Sequence, residues 1–162
     1  MKLSEGVEWS VHCLAVLARA PEGGPLTARR LAEFHGVPGP YLAKHLQALV
    51  RAGLVESVSG PRGGFRLAKD PAAITLLDVV EAVDGTEPVF RCTEIRQRGP
   101  LGAGAEAPRH RCGIAAAFDA AEQAWRASLA AATISSVVES WRASSEVEVW
   151  VRGAAWISGT ST

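Results

Sequence analysis

From Gly23 to Leu67 the chain reads GGPLTARRLAEFHGVPGPYLAKHLQALVRAGLVESVSGPRGGFRL, and this stretch leaves few folds open. Thr27 can cap a short helix over Ala28 to Phe34, which His35-Gly36 ends. Gly39-Pro40 opens a second helix, where the missing N–H of Pro40 costs nothing. That helix runs to about Ala52 and stops at Gly53. Leu54–Ser59 and Gly64–Leu67 are β-prone runs joined by Gly60-Pro61-Arg62-Gly63, so they predict a hairpin. Helix, turn, basic helix and hairpin make a winged helix-turn-helix, an order suited to a major groove and the backbone beside it.

The rest of the chain is mostly helical. Val7, Val11, Leu14 and Leu17 fall at helical spacing over residues 4–19, with Ser4 as N-cap. Ile74–Val83 predicts another short helix. Residues 99–111, GPLGAGAEAPRHR, read as an irregular loop. From Gly113 to about Trp141 the chain is Ala-rich, with Ile114, Phe118, Ala121, Trp125 and Leu129 on one stripe. So long a helix in a chain of 162 residues has little partner surface of its own, which predicts pairing with its twin. The fold class is mainly α with a small β wing, and a long C-terminal dimerisation helix. The expected organisation is DNA-binding over residues 1–85, a loop over 86–112, dimerisation over 113–141 and a tail over 142–162.

Net charge is zero but unevenly spread. Residues 1–69 hold nine Lys/Arg against five Asp/Glu, whereas residues 70–162 hold eight against twelve. The basic half favours a polyanionic partner. No apolar run is long enough for a membrane span and no leader is visible, so a soluble cytoplasmic protein is expected. Three cysteines are too few for a secreted disulfide framework and point to thiols or metal ligands. There is no P-loop, GxSxG or Ser-His-Asp order, so neither an enzyme nor a small-molecule substrate is expected.

The helix after Gly39 presents Tyr41, Lys44, His45 and Gln47 opposite Leu42, Leu46, Leu49 and Val50. Tyr41 and Lys44 suit phosphate or base-edge contacts, and Gln47 can pair bidentately with adenine. Arg62 marks the wing tip, where it can grip phosphate or enter a minor groove. Arg29 and Arg30 open the preceding helix, whose N-terminal amides also favour phosphate. Taken singly, any of these is as well explained as a solvated charge; the ordered set favours double-stranded DNA.

The segment from Tyr41 to Gly85 resembles the Rrf-type regulators, the family of the iron–sulfur repressors IscR, NsrR and RirA. The shared pattern is matched at Tyr41, Leu42, Gly53, Leu54, Val55, Gly60, Gly63, Gly64, Leu67, Ile74, Asp78, Val79, Val83 and Gly85. The resemblance extends to about residue 130. It implies a homodimeric transcriptional regulator that binds a palindromic operator.

Cluster-binding members of this family carry three closely spaced cysteines, and here the chain departs. Cys92 in FRCTEIRQRGPL is followed by no thiol until Cys112 in RHRCGIAAAF. Two thiolates cannot close the four-ligand shell of a [2Fe–2S] cluster, so other side chains must supply two ligands, as histidine does in Rieske centres. This spacing is similar to that of a redox-sensing branch of the family. The similarity implies a [2Fe–2S] cluster held by Cys92, Cys112, His35 and Glu8, the cysteines from one subunit and the other two from its partner.

On the residues alone, an isolated Glu near an N-terminus is usually a helix-dipole carboxylate, and a His after a helix is usually a cap. His12 and His110 are substitutes for Glu8 or His35. Cys13, in HCLAVLA, reads as a core thiol. Trp9 either fills the core or shields the cluster. Two cluster-free readings stay open at this point: a Cys92/Cys112 disulfide switch or a zinc site, and a winged helix that docks protein and ignores DNA.

Overall fold

The computed structural model describes residues 2–95 and 112–159. Among them seven α-helices and one two-stranded antiparallel sheet follow in the order α1 (Glu5–Leu17), α2 (Ala28–His35), α3 (Gly39–Arg51), β1 (Val55–Val58), β2 (Gly64–Leu67), α4 (Leu76–Asp84), α5 (Gly113–Ala131), α6 (Ile134–Ser144) and α7 (Val147–Ser158). The chain divides into two compact units, Lys2–Gly85 with Leu129–Thr162, and Thr86–Ser128.

In the larger unit α1 to α4 and the wing close over one core. Leu14 of α1, Leu31 of α2, Leu42, Leu46 and Leu49 of α3, and Val79 of α4 are all sealed from solvent. The leucines of α3 recur at three- and four-residue spacing, so that helix turns one apolar stripe inward and leaves its polar face outside, whereas α1 is buried continuously from Cys13 to Leu17. Local signals set the boundaries. The Thr27 hydroxyl accepts from the Arg30 amide at 3.2 Å, and Gly36 ends α2 with a φ of 65° that a side chain would disfavour. Only Val37 and Pro38 then separate that cap from α3.

The wing pairs Val55 with Leu67 and Val58 with Gly64, and Leu26 bridges to Phe65 to tie the hairpin to the segment before α2. Ser4 is the N-cap residue of α1 as expected, but its side chain is used elsewhere. Its hydroxyl does not cap α1; its amide and hydroxyl donate instead to the Asp84 carboxylate at 3.0 and 2.5 Å, fastening α1 to the end of α4.

The single helix expected from Gly113 to about Trp141 is two helices. Thr133 takes an extended conformation and forms a capping box with Ser136, starting α6 afresh. The break is fixed from outside, because Leu76 N–H donates to the Ala132 carbonyl at 2.8 Å and Ile134 N–H donates to the Ile74 carbonyl at 2.9 Å. The tail also has a place. Trp156 and the buried Ile157 of α7 pack on the core of the larger unit.

The smaller unit is built on α5. The segment before the undescribed residues lies along that helix, with Phe90 stacked on Phe118 at 4.3 Å and the Val89 amide donating to Glu122 at 3.1 Å. Ile114 and Phe118 remain 65% and 50% exposed. Among the described residues no helix is long and apolar enough to cross a membrane. The expected loop over residues 99–111 lies outside the described residues.

Candidate nucleic-acid interface and cluster site

Because α3 buries Leu42, Leu46, Ala48 and Leu49, Tyr41, Lys44 and Gln47 are left on its other side. Tyr41 is 66% exposed, and Lys44 and Gln47 are exposed as well. Arg62 stands exposed in the turn of the wing, after Gly60, whose φ of 104° makes the turn possible. Arg29 is exposed on the first turn of α2 and pairs with Glu33 at 3.6 Å. Of the seven side chains expected at a duplex, these five are exposed.

Two residues expected beside them are placed elsewhere. His45 sits at the edge of the buried stripe of α3 and turns toward α1, where its ring meets Trp9 edge-on at 6.0 Å. A Cβ at Gly6 would lie 2.2 Å from the His45 ring, so the glycine is what lets α1 pass so close. Arg30 turns away from its neighbour Arg29 and lays its guanidinium over Trp156, 4.7 Å from the ring centre. Periodicity assigns both to polar faces; what covers those faces comes from distant segments. Trp9 is half-buried and packs against the core.

The first two helices also bring two histidines into contact, with a glutamate one turn from one of them. Glu8 and His12 lie one turn apart on α1, hence on one face, and both are exposed. His12 faces the His35 ring at 5.4 Å. His35 is half-buried, closes α2, and touches Phe34 at 4.9 Å. Its Nε2 is buried and has no hydrogen-bond partner. Burial lowers the His35 pKa to about 4, helped by the charge of His12 and opposed by a hydrogen bond to the His12 backbone. The ring is therefore neutral at physiological pH, the form in which imidazole binds a metal. Cys13, one residue beyond His12, is fully buried, and burial pushes its thiol up to about 12. It is a core residue.

In the smaller unit Cys92 and Cys112 line one apolar concavity of about 380 Å³ with Phe90, Ile95 and Ile114. Cys92 is exposed and its thiol donates to Glu94 Oε1 at 3.6 Å. None of the three cysteines is in a disulfide. Among the described residues no three Cys, His, Asp or Glu side chains come together to hold a metal ion. His110 lies outside the described residues.

Residues 3–140 match the Rrf2 family, described as "Iron-dependent Transcriptional regulator". The chain belongs to the Rrf2 family. Its members are DNA-binding transcriptional regulators, not enzymes. YffB of Lactococcus lactis, a helix-turn-helix protein, is 34% identical over 86% of this chain and 88% of its own length. The regulator IscR of Escherichia coli is 34% identical over 57% of each chain. The chain spans 58% of the length of YwgB of Bacillus subtilis, at 41% identity. Among solved structures the fold is shared with IscR of T. potens (TM-score 0.67, 21% identity, 93% of this chain and 96% of that one). It is shared also with CymR, the global cysteine regulator of B. subtilis (TM-score 0.63, 24% identity, 86% and 97%).

Sequence reasoning missed the arginine–tryptophan contacts that seat the tail. Arg19 lies 3.5 Å from the ring centre of Trp150 and 4.6 Å from that of Trp141, and Arg30 covers Trp156. Trp150 and Trp156 in the tail, with Trp141 just before it, were a signal of docking, but nothing local named their partners.

Proposed function

We propose that this Rrf2 regulator is a homodimer that binds a palindromic operator and answers to redox state through a [2Fe–2S] cluster. Cys92 and Cys112 of one subunit, with His35 and Glu8 of the partner subunit, would hold it. Residues 1–85 read the duplex, residues 86–112 carry the thiols, and α5 joins the subunits through the exposed Ile114 and Phe118.

The observation that carries this reading is His35. A buried imidazole nitrogen without a hydrogen-bond partner is costly, and ligation to iron would satisfy it. The donor set suits the group, since two thiolates with imidazole and carboxylate match iron's tolerance for sulfur, nitrogen and oxygen. When bound, such a cluster supplies a one-electron change of charge in a partly buried place. Only three residues separate His35, the end of α2, from the start of α3, so whatever fixes its ring fixes the turn that sets the recognition helix. Neutral imidazole in place of thiolate also favours reversible one-electron reduction.

On DNA, Tyr41, Lys44 and Gln47 enter the major groove, Arg62 holds the flanking backbone, and Arg29 meets phosphate at the start of α2. Two such surfaces related by a twofold axis would match two half-sites one helical turn apart.

The test is the visible spectrum of protein purified without oxygen, before and after dithionite, with an iron and sulfide count. Two iron and two sulfide per cluster with reversible bleaching support the reading. A colourless protein that binds DNA contradicts it and favours the second reading, a thiol switch, for which the shared concavity of Cys92 and Cys112 is the supporting observation.

A further inference from the structure

Helix α7 is fastened to the DNA-binding half of the chain by two arginines. Arg30, on the first turn of α2, places its guanidinium over the Trp156 ring and donates through Nη2 to the Trp156 carbonyl at the last turn of α7. The same indole meets Phe34 at 5.0 Å. Arg19, just beyond the end of α1, stacks on Trp150 and Trp141 and donates to the Trp150 carbonyl at 2.9 Å. Arg29, adjacent to Arg30 on the same helical turn, stays exposed.

Along α7 Ile157 is the fully buried residue, while Val147, Val149 and Val151 face solvent. Arg30 Nε and Arg19 Nη1 are buried without hydrogen-bond partners, a cost that undocking would relieve. A phosphate would satisfy Arg30 better than its present partners. It is fully charged and accepts two parallel N–H bonds, where one carbonyl and an indole face accept one.

We propose that α7 is a releasable strap that withholds Arg30 from DNA. In the strapped form the start of α2 offers Arg29 alone to the duplex; in the released form both guanidiniums reach phosphate. The tail thereby sets affinity below the level this surface can attain. The inference rests on the proposed DNA-binding face at the α2 N-terminus.

The experiment is binding of the full chain to a fluorescent random-sequence duplex of about 30 base pairs, measured over a salt series. Arg30→Gln alone is expected to leave affinity within twofold of the parent and the salt slope unchanged. Trp156→Ala is expected to tighten binding roughly fivefold to tenfold at 0.1 M salt and to steepen the slope by about one phosphate contact. That gain should vanish in the Arg30→Gln, Trp156→Ala double variant. Three results would overturn the strap: a slope lowered by about one in Arg30→Gln alone, unchanged binding in a folded Trp156→Ala, or a gain that survives Arg30→Gln. If circular dichroism shows Trp156→Ala unfolded, Arg30→Gln decides by itself. A parent protein with no salt-dependent binding would instead sink the DNA-binding face, and the strap with it.

Discussion

The rings of His12 and His35 stand 5.4 Å apart, one from α1 and one from the end of α2. The exposed one is a turn from Glu8, and the half-buried one carries the unpartnered nitrogen. If His35 is the ligand and His12 its neighbour, the two should behave differently. His35→Ala is expected to lose most bound iron and sulfide, and His12→Ala to keep both. Metal and sulfide counts on the two variants check this, and the reverse pattern would move the assignment to His12.

Gly6 and His45 form a lock between α1 and the recognition helix. An Ala at position 6 must displace the His45 ring, since its Cβ would lie 2.2 Å from that side chain. Gly6→Ala should therefore destabilise the fold by about 1–3 kcal/mol, a typical cost of overpacking. Adding His45→Ala should restore much of it. Denaturant midpoints on the two singles and the double give the coupling; additive effects would contradict the lock.

The three thiols should be separable by chemistry. Burial holds Cys13 protonated far above neutrality, while Cys92 is exposed. In native cluster-free protein, iodoacetamide followed by peptide mass spectrometry is expected to label Cys92 and to spare Cys13 until denaturant is added. Native labelling of Cys13 would show that α1 opens more readily than its packing implies.

Arg62 and Gln47 should fail in different ways. Arg62→Ala should weaken binding to every duplex and reduce the salt slope by about one, as a phosphate contact does. Gln47→Ala should relax preference at one base pair by about 1–3 kcal/mol and leave the slope alone. Fluorescence anisotropy on a panel of duplexes, at several salt concentrations, separates them. A change in sequence preference from Arg62→Ala alone would contradict its backbone role.

Much of the fold was legible because its signals are local. Thr27 and Gly36 bound α2, Gly60 to Gly63 make the wing turn, and the leucines of α3 repeat at helical spacing. The break at Thr133 was hidden in an Ala-rich run with strong helical propensity. What decides it is a hydrogen bond from Leu76, which sequence periodicity cannot reveal. Arg30 and His45 show the same limit. A helical wheel places each on a polar face, yet Trp156, 126 residues away from Arg30, and Gly6 on α1 determine where they point. The expectation of ligands at Glu8, His35, Cys92 and Cys112 comes from their chemistry and a family resemblance. The approach of His12 to His35 could not, because it depends on how α1 crosses α2.

The decisive measurement is DNA affinity in two oxidation states of one preparation. Duplexes enriched from a random pool by the anaerobic, iron-loaded protein would be titrated with its oxidised form and with its dithionite-reduced form. Control by a cluster at Cys92, Cys112, His35 and Glu8 predicts affinities differing by about tenfold or more, which is about 1.4 kcal/mol. It predicts no difference in Cys92→Ala. Equal affinities in the two states, or a difference that persists in Cys92→Ala, would contradict it.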